Sequence, residues 1–327
     1  MSRSVLVTGA HGFVGSWLTR ALLERGDRVV ALDRAEPHRS GLAVQGIVAE
    51  VALVQADLRD ADAFGEALAD HRVDTVFHLG AQTLVGAARA SPGETFETNV
   101  RGTWTVLEAC RAAEVERIVV ASSDKAYGAH SELPYREDFP LRANSPYEAS
   151  KAAADIIARS YWASYGLPVA VTRFANVYGG GDLNFSRLVP EAVIAAIDAR
   201  PPVLRSDGSP ERDFLYVEDA TRAYLAIAEA LDRDRAARGE AFNAGAGRPH
   251  SVIEVLRLVA AVSGAEIEPE VRGDGTPTGE IDRQYVDPTK LRELTGWEPR
   301  VDLRDGLGRT VEWYRGHPEI RPDAVAD

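Results

Sequence analysis

The first 180 residues alternate between short apolar segments and longer amphipathic segments. SVLVTG, RVVALDR and TVFHLGA each indicate a buried strand, FVGSWLTRALLERG indicates a helix, and PVAVTRFANVYG indicates the last strand of the series. Continuous apolar strands separated by helices are typical of a parallel sheet that is covered on both faces. The pattern therefore predicts a doubly wound α/β fold.

This rhythm changes after Gly181, where a glycine run and a Pro-Pro pair interrupt it. We predict that residues 1–180 form a cofactor domain, to which residues 213–245 return. Residues 181–212 and 246–327 are expected to form a smaller C-terminal α/β domain that binds the substrate. The chain would then cross between the two domains more than once.

The composition excludes several classes of function. Acidic residues outnumber basic residues by 50 to 37, and the net charge of -13 disfavours nucleic acid and anionic membranes as partners. The N-terminus lacks a signal-peptide pattern, and no segment approaches the roughly 20 apolar residues of a membrane span. Cys110 is the single cysteine, so we expect no disulfide within the chain and a cytoplasmic location. No metal site is predicted, because the histidines show no metal-ligand spacing: His11, His38, His71, His78, His130, His250 and His317.

A glycine loop follows the first predicted strand. In TGAHGFVG, Gly9, Gly12 and Gly15 have the spacing GxxGxxG and stand directly before a helix. Glycine lets the backbone turn tightly and approach a pyrophosphate, whose charge the helix N-terminus stabilises. Asp33 ends the second strand about 20 residues further on, where a carboxylate binds the adenosine ribose hydroxyls. Together these features predict a dinucleotide site.

The same region bears on the choice between NAD and NADP. Asp33 would repel a 2'-phosphate and so favours NAD, whereas Arg34 beside it acts in the opposite direction. The loops after the third and fourth strands lie at the carboxyl edge of the sheet, where a cofactor should lie; they could also be ordinary strand ends. These loops add four candidate cofactor contacts: Asp57, Leu58, Leu79 and Ala81.

A tyrosine and a lysine stand one helical turn apart in SPYEASKAAADII. Tyr147 and Lys151 are at positions i and i+4 and therefore share one helix face. A tyrosine with a reference pKa near 10 is a poor base, but a neighbouring ammonium and a positive nicotinamide ring favour the phenolate. Such a pair accepts a proton from an alcohol while hydride leaves for the cofactor. The spacing alone is common on helix surfaces, so its position in a dinucleotide fold carries the hypothesis.

TGAHGFVG, Asp33, YEASK and RFANVYGGGD together resemble the extended short-chain dehydrogenase/reductases that act on nucleotide sugars, the NAD-dependent epimerase/dehydratase family. The resemblance runs over nearly the whole chain, to the terminal GLGRTVEWY. It implies a Rossmann-type fold, NAD as cofactor, a nucleotide-diphosphate sugar as substrate, and a homodimer formed through helices that include NVRGTWTVLEAC and YEASKAAADII. It also implies that Tyr147 and Lys151 are the catalytic pair with Ser123 as hydroxyl partner, and adds three cofactor contacts: Phe13, Val14 and Asn99.

The resemblance also assigns residues to the substrate. Asn176 of FANVYG and Arg212 of PERDFLYVED stand where family members bind the diphosphate, and a guanidinium suits that task because its planar fork grips phosphate oxygens. Without the resemblance, an arginine on an acidic protein would be interpreted as a surface charge. Three further candidates, which the family pattern fixes less tightly, are Gln82, Arg187 and Arg283.

Family members share oxidation of the sugar at C4 and differ in what the ketone then does. A 4,6-dehydratase needs an acid for the departing C6 hydroxyl and a base for the C5 proton, whereas a 4-epimerase needs neither. Dehydratases have an acidic pair after the hydroxyl residue, and this chain has Ser123-Asp124-Lys125 there. That version resembles the CDP-glucose 4,6-dehydratase branch and implies that Asp124 is the acid and Lys125 the base. Other segments, such as DGSPERDFLYVEDA, look like general relatives, so the nucleotide and the hexose stay open.

The assignment of Lys125 as a base has a physical condition. Lysine has a reference pKa near 10.4, so a lysine base must be desolvated or crowded by positive charge; otherwise Lys125 only pairs with Asp124 or contacts the substrate.

Three hypotheses on the function remain. The leading hypothesis is a 4,6-dehydratase, and the alternatives are a 4-epimerase and an NAD-sensing protein without activity. Tyr127 of KAYG is expected either to pack near the sugar or to be a strand-end aromatic.

Overall fold

The computed structural model describes residues 2–36, 40–204, 206–275 and 281–321. In chain order, its strands are β1 (Ser4–Thr8), β2 (Arg28–Asp33), β3 (Ala52–Gln55), β4 (Thr75–His78), β5 (Arg117–Ala121), β6 (Val169–Phe174), β7 (Asn176–Tyr178), β8 (Val203–Leu204), β9 (Glu211–Tyr216), β10 (Ala241–Ala244), β11 (Pro249–Ser251), β12 (Glu270–Val271) and β13 (Arg283–Gln284).

The α-helices of the same residues are α1 (Phe13–Glu24), α2 (Gly41–Val44), α3 (Ala61–Asp70), α4 (Val85–Ala90), α5 (Pro92–Phe96), α6 (Gly102–Ala112), α7 (Pro146–Tyr165), α8 (Leu188–Ile197), α9 (Val217–Arg233), α10 (Val252–Ser263), α11 (Thr289–Thr295) and α12 (Leu303–Gly316). Short 3-10 turns cover Val48–Glu50, Asp124–Tyr127, Arg235–Ala237 and Pro318–Ile320, and a π turn covers Glu97–Arg101.

The main sheet has seven strands in the order β10-β6-β5-β4-β1-β2-β3, and every neighbouring pair is parallel. Strands β1, β4 and β6 are buried along their whole length, which explains their continuous apolar sequences. The strand order reverses between β1 and β4, and such a reversal opens a crevice at the carboxyl ends of the strands. The predicted doubly wound α/β fold is confirmed.

Helices cover both faces of this sheet. Leu18 and Leu22 of α1 pack with Tyr224 and Ile227 of α9 on one face. On the other face, side chains of α3, α6 and α7 pack on the strands, among them Phe64, Val106, Leu107 and Ala158. Burying each large apolar side chain contributes about 1.5–3 kcal/mol, so the two layers fix the sheet that carries the site.

A smaller sheet stands beside the main one. Strand β9 pairs in parallel with β7 and β13 and antiparallel with β11. Helices α8, α10 and α12 pack around a shared apolar cluster that includes Val193, Val255 and Val311. Strands β8 and β12 form a separate two-stranded ribbon.

The chain passes between the two sheets at Ala175. The segment PVAVTRFANVYG, predicted as one strand, is two: β6 belongs to the main sheet and β7 to the smaller one. Helix α9 and strand β10 return to the main sheet, and α11 packs against both of them. The predicted boundary at residue 180 therefore falls just after a strand of the smaller sheet. The domain assignment stays a prediction. Residues 1 and 37–39 of its first domain, and residues 205, 276–280 and 322–327 of its second, lie outside the described residues.

Among the residues that the structure describes, no helix combines the length and hydropathy that a bilayer crossing requires. No group of three or more His, Cys, Asp or Glu side chains among them is arranged to hold a metal ion, and His38 lies outside this part of the chain.

Candidate active site

The glycine loop between β1 and α1 has no room for side chains at two positions. Gly9 has a φ of 70°, and a Cβ there would lie 2.8 Å from the Cα of Gly80. A Cβ at Gly15 would overlap the carbonyl oxygen of Gly9. Helix α1 starts directly after Gly12, so the N–H groups of Phe13 and Val14 are in its first turn, where they have no intrahelical partner. The loop fits a pyrophosphate, which needs close backbone approach and these N–H donors.

Asp33 stands at the end of β2, next to this loop. Its Oδ2 accepts the His11 N–H at 3.3 Å and its Oδ1 accepts the Arg34 N–H at 2.7 Å, so the carboxylate is fixed above the glycine loop. A fixed carboxylate here suits the ribose hydroxyls of the adenosine half of NAD. Arg34 is exposed.

The loop after β3 contains a contact that the sequence did not reveal. Arg59 donates to Asp57 from both Nε and Nη2 at 2.8 Å, and this pairing holds the pKa of Asp57 at about 2. Leu58 packs close to the backbone at Gly80 and Gly102. Asp57 therefore stays charged, with its carboxylate shared with Arg59, and Leu58 supports the two glycines.

The loop after β4, which contains Leu79 and Ala81, is tied to the helices by an amide. Asn99 is buried; its Nδ2 donates to the Gln82 carbonyl at 2.9 Å and to Ser150 Oγ at 2.8 Å. Its Oδ1 accepts the Gln82 N–H at 2.7 Å. Both ends of the Asn99 amide are thus engaged with the protein, and it holds the Gln82 backbone near α7.

Helix α7 presents Tyr147 and Lys151 together, and both side chains are buried. The helix begins with a capping box, in which Ser145 and Glu148 each bond the other's backbone N–H. Lys151 Nζ donates to the carbonyl of Ala121 at the end of β5, at 2.8 Å, and burial lowers the pKa of Lys151 to about 8. Burial raises the pKa of Tyr147 to about 12, against a lowering by the Ser123 hydroxyl. The phenol is therefore protonated at neutral pH, because desolvation outweighs the favourable neighbours.

Ser123, Asp124 and Lys125 form the turn after β5, and their arrangement differs from a simple ion pair. Asp124 is 1% exposed; its Oδ1 accepts the Ser123 hydroxyl at 3.1 Å, and its Oδ2 has no hydrogen-bond partner among the described residues. Lys125 Nζ lies 3.8 Å from Asp124 Oδ1 and donates to Asn176 Oδ1 at 3.0 Å. The lysine is bonded to the amide, and half of the carboxylate is left unpaired.

The three candidate arginines differ in their surroundings. Arg187, just before α8, donates to Asp182 at 2.9 Å and to Thr83 at 3.3 Å. Arg212 on β9 donates to the carbonyls of Glu211 at 2.9 Å and Asp282 at 3.4 Å. Arg283 on β13 pairs with Glu211, and its side chain is 53% exposed.

The structure joins several of the candidates directly. Hydrogen bonds or electrostatic contacts link Ser123, Asp124, Lys125, Tyr147 and Asn176. Arg212 and Arg283 lie on strands β9 and β13 of the smaller sheet.

Two buried polar groups were missed by the sequence analysis or assigned differently. Asp213 on β9 is fully buried, accepts the N–H groups of Ala246 at 3.0 Å and Gly247 at 3.2 Å, and has a pKa raised by burial to about 7. The sequence feature that could have indicated a buried acid is the aspartate at the start of the apolar segment DFLYV.

The Tyr127 hydroxyl donates to Asn243 at 2.8 Å and accepts from Arg173 at 3.0 Å. Tyr127 is therefore part of a buried network, which also contains the Arg173–Asp155 ion pair.

The family model described as "NAD dependent epimerase/dehydratase family" matches residues 5–245. The chain is 35% identical to a UDP-glucose 4-epimerase of Mycolicibacterium smegmatis, over 95% of this chain and 98% of that protein. It is also 35% identical to a dTDP-glucose 4,6-dehydratase of Streptomyces griseus, over 97% of this chain and 95% of that protein. It spans about half the length, 48%, of trifunctional UDP-glucose 4,6-dehydratases of Arabidopsis thaliana.

Among solved structures, the dTDP-glucose 4,6-dehydratase of Streptomyces venezuelae with NAD bound superposes with a TM-score of 0.86 at 31% identity, covering 98% of this chain and 99% of that one. The glycine loop and Asp33 supply the features that such a cofactor requires. The predicted family and cofactor are confirmed: this chain belongs to the NAD-dependent epimerase/dehydratase family, and its cofactor is NAD.

Proposed function

We propose that this enzyme is a nucleotide-sugar 4,6-dehydratase, which converts a nucleotide-diphosphate hexose into its 4-keto-6-deoxy derivative. The reaction oxidises C4, eliminates water across C5 and C6, and returns hydride to C6. NAD, when bound, accepts the hydride from the sugar and later gives it back. The relatives named above act on nucleotide-linked glucose, which supports a substrate of this class.

The observation that carries the proposal is a buried oxygen of Asp124, Oδ2, that has no hydrogen-bond partner in the described part of the chain. Burying a carboxyl oxygen without a hydrogen-bond partner costs about 1–3 kcal/mol, and the cost is higher if the group is charged. Asp124 Oδ2 is in that state, beside the Ser123 hydroxyl. A substrate hydroxyl bonded to Oδ2 would offset the cost. A 4,6-dehydratase requires an acid at such a position and a 4-epimerase does not.

The proposed roles follow from these contacts. Tyr147 must first lose its own proton, which the positive charges of Lys151 and of the nicotinamide ring would favour. The phenolate then takes the proton of the C4 hydroxyl while Ser123 bonds the same oxygen. In the elimination, the C5–H bond breaks, its proton goes to Lys125, and its electron pair forms the C5–C6 double bond. The C6–O bond breaks and the oxygen leaves as water with the proton of Asp124. When hydride is returned to C6, Lys125 gives the proton back to C5, which completes the 4-keto-6-deoxy product.

The use of lysine in this chain supports a special role for Lys125. Of 37 basic residues, only Lys125, Lys151 and Lys290 are lysines. Lys290 pairs with Glu240 at 2.6 Å, which is a structural contact. The other two lie at the candidate site. Arginine cannot be deprotonated in proteins, so a base at position 125 requires lysine rather than the cation that this chain uses elsewhere.

A 4-epimerase is the second candidate, and two observations favour it. The epimerase and dehydratase relatives are equally similar to this chain, at 35% identity. The Lys125 amine is also bonded to Asn176, so it must be released or redirected before it can reach a substrate carbon.

The two candidates are separated by product mass. The enzyme is incubated with UDP-glucose, dTDP-glucose, CDP-glucose and GDP-mannose, and the products are analysed by mass spectrometry. A dehydratase gives a product lighter by about 18 mass units, one water, and Asp124→Asn lowers its rate of formation by about 100-fold or more because the acid is lost. Asp138→Asn is the matched control, since Asp138 is exposed. An isomer of unchanged mass that Asp124→Asn still forms at the original rate would assign the enzyme as an epimerase.

We further propose a homodimer through α6 and α7, which lie side by side. Each helix has a large apolar side chain that is exposed: Trp104 on α6 is 44% exposed and Ile156 on α7 is 59% exposed. A second copy of the chain could cover these side chains. Light scattering of the pure protein tests this proposal. The double change Trp104→Glu and Ile156→Glu should convert a dimer into a monomer, and a monomeric parent enzyme would contradict the proposal.

A further inference from the structure

A fully buried ion pair joins helix α7 to the main sheet. Arg173 on β6 donates to both carboxylate oxygens of Asp155 on α7, from Nε at 2.7 Å and from Nη2 at 2.9 Å. The two side chains are 1% and 0% exposed, respectively. Side chains so enclosed offer no surface to a cofactor or a substrate, so any effect of this pair on the reaction must pass through other residues.

Asp155 lies on the helix face that carries the candidate catalytic pair. Tyr147, Lys151 and Asp155 follow one another at four-residue spacing in α7, and all three are buried. Residues at that spacing are one helical turn apart on the same face. The bond between Asp155 and Arg173 therefore holds this face of α7 against β6.

The other side of the guanidinium holds the turn after β5. Arg173 Nη1 donates to the Tyr127 hydroxyl at 3.0 Å and to the main-chain carbonyl of Glu137 at 3.1 Å. Tyr127 is the last residue of the 3-10 turn Asp124–Tyr127, and its ring centroid lies 4.9 Å from the guanidinium carbon of Arg173. One buried cation thus contacts both elements that carry candidate catalytic residues.

The direction of each hydrogen bond at the Tyr127 hydroxyl follows from its partners. A guanidinium can only donate, so the Tyr127 oxygen accepts from Arg173 and its own proton goes to Asn243 Oδ1 on β10, at 2.8 Å. Burial raises the pKa of the Tyr127 phenol, which keeps that proton in place. The orientation of Tyr127 is therefore fixed relative to Arg173.

We propose that Arg173 is a positioning residue that holds the turn after β5 in a fixed relation to α7, so that the Ser123 hydroxyl and the Tyr147 phenol meet the same substrate oxygen. The Ser123 hydroxyl bonds Tyr147 across the junction of these two elements. The inference rests on the roles proposed for Ser123 and Tyr147. A 4,6-dehydratase and a 4-epimerase share the oxidation at C4, so it does not depend on the choice between them.

Stability alone does not account for an ion pair of this kind. Removing two charges from water costs free energy, and replacing a buried ion pair by apolar side chains of similar volume is often neutral or stabilising. A bidentate pair instead fixes both the distance and the angle between its partners, because the planar guanidinium fork matches the carboxylate. The pair is therefore better suited to holding two elements in position than to stabilising the fold.

The main test is the double variant Arg173→Met and Asp155→Leu, made in the complete chain with NAD bound. Its melting temperature should stay within about 5 °C of the parent value, because no buried charge is left unpaired. Its kcat should fall by about 10-fold or more while KM changes by less than about threefold, since the reacting groups are displaced and the groups that bind the nucleotide are not. Rates are measured with UDP-glucose, dTDP-glucose, CDP-glucose and GDP-mannose, for a product of either mass. A folded double variant with the parent kcat overturns the inference.

Tyr127→Phe tests the link between the ion pair and the turn without removing either charge. The ring stays and the hydroxyl is lost, so kcat should fall by about threefold or more. In the Arg173→Met and Asp155→Leu background the same change should have an effect of less than about twofold, because the link is already broken. Parent kcat in Tyr127→Phe, or fully additive effects, would contradict the inference.

Arg117→Met is the control for the loss of an ion pair from the same sheet. Arg117 is at the start of β5, pairs with Asp74 and Asp232, and has a side chain that is 7% exposed. Its loss should lower the melting temperature and leave kcat within about twofold of the parent, because it lies at the opposite end of the strand from the turn.

Crystal structures of the parent and the double variant give a readout that does not depend on turnover. The Ser123 hydroxyl is expected to move out of hydrogen-bond reach of the Tyr147 hydroxyl in the variant, while the glycine loop keeps its position. If the turn and α7 keep their parent relation, the inference is wrong. The proposed function fails separately, since it depends on the mass of the product.

Discussion

The main sheet and the smaller sheet build their parts of the site in different ways. The main sheet is continuous, with buried strands joined by nearby helices, and its glycine loop and Asp33 lie within one stretch of chain. The smaller sheet combines β7, β9, β11 and β13, which come from residues 176–284, and polar side chains such as Asn176 and Asp213 depend on that pairing. The glycine loop and Asp33 are therefore close to each other in sequence, whereas the polar side chains of the smaller sheet are brought together by contacts between distant parts of the chain.

The largest expected effect is at Tyr147, on the main-sheet side. Tyr147→Phe removes the hydroxyl that would exchange the C4 proton, and kcat should fall by about 1,000-fold while the fold is unchanged. Steady-state kinetics and circular dichroism check this. Tyr165→Phe is the matched control at the end of the same helix, because Tyr165 is 63% exposed. A Tyr147→Phe enzyme with more than a tenth of the parent kcat would remove Tyr147 from the mechanism.

The second effect tests whether the cofactor loop is as rigid as its backbone contacts indicate. In Gly15→Ala, the new methyl group would overlap the Gly9 carbonyl, which is main chain and cannot rotate away. NAD affinity by calorimetry should fall by about 100-fold, and the melting temperature should also fall. In the control Gly308→Ala, in α12, the methyl group meets no atom within 4 Å. Parent-like NAD affinity in Gly15→Ala would show that the loop adapts.

The third effect concerns the smaller sheet and pH. Burial raises the pKa of Asp213 to about 7 from a reference value of 3.8, so between these pH values the folded state holds a proton that the unfolded state has released. The free energy of unfolding should therefore decline as pH rises from about 4 to about 7, by up to about 1.4 kcal/mol per pH unit from this group.

Urea denaturation at several pH values measures this decline. Asp213→Asn cannot titrate, so its free energy of unfolding should lack this contribution. The slopes of the two plots of the free energy of unfolding against pH should differ most between about pH 4 and about pH 7, the range given above. Parallel pH profiles of the two proteins would show that Asp213 is ionised throughout.

The smallest effect is expected at Arg283. Its guanidinium pairs with Glu211 and is 53% exposed, and exposed pairs contribute about 0–1 kcal/mol. Arg283→Ala should change KM by less than about threefold and stability by less than about 0.5 kcal/mol. Arg187→Ala, measured in parallel, should raise KM more, because Arg187 bridges the loop after β4 and the start of α8. A larger rise in KM for Arg283→Ala would place Arg283 in direct contact with the substrate.

The outcome of the sequence predictions follows the same division. The doubly wound fold, the family and NAD were predicted correctly, because strand periodicity and the glycine spacing are local properties. The segment PVAVTRFANVYG was predicted as one strand, since nothing in its periodicity marks Ala175 as the crossing between two sheets. Asp213 was overlooked because its buried hydrogen bonds come from residues more than thirty positions away.

Some relations between residues of the candidate site can be predicted from local sequence spacing, and others cannot. The sequence alone determined that Ser123, Asp124 and Lys125 follow a buried strand and that Tyr147 and Lys151 share a helix face, because strand ends and helical spacing fix those relations. Only the tertiary structure decided that Lys125 bonds Asn176 and that one oxygen of Asp124 has no partner among the described residues. The reason is physical: which of two nearby acceptors a flexible lysine bonds is decided by groups that strand pairing brings from other parts of the chain.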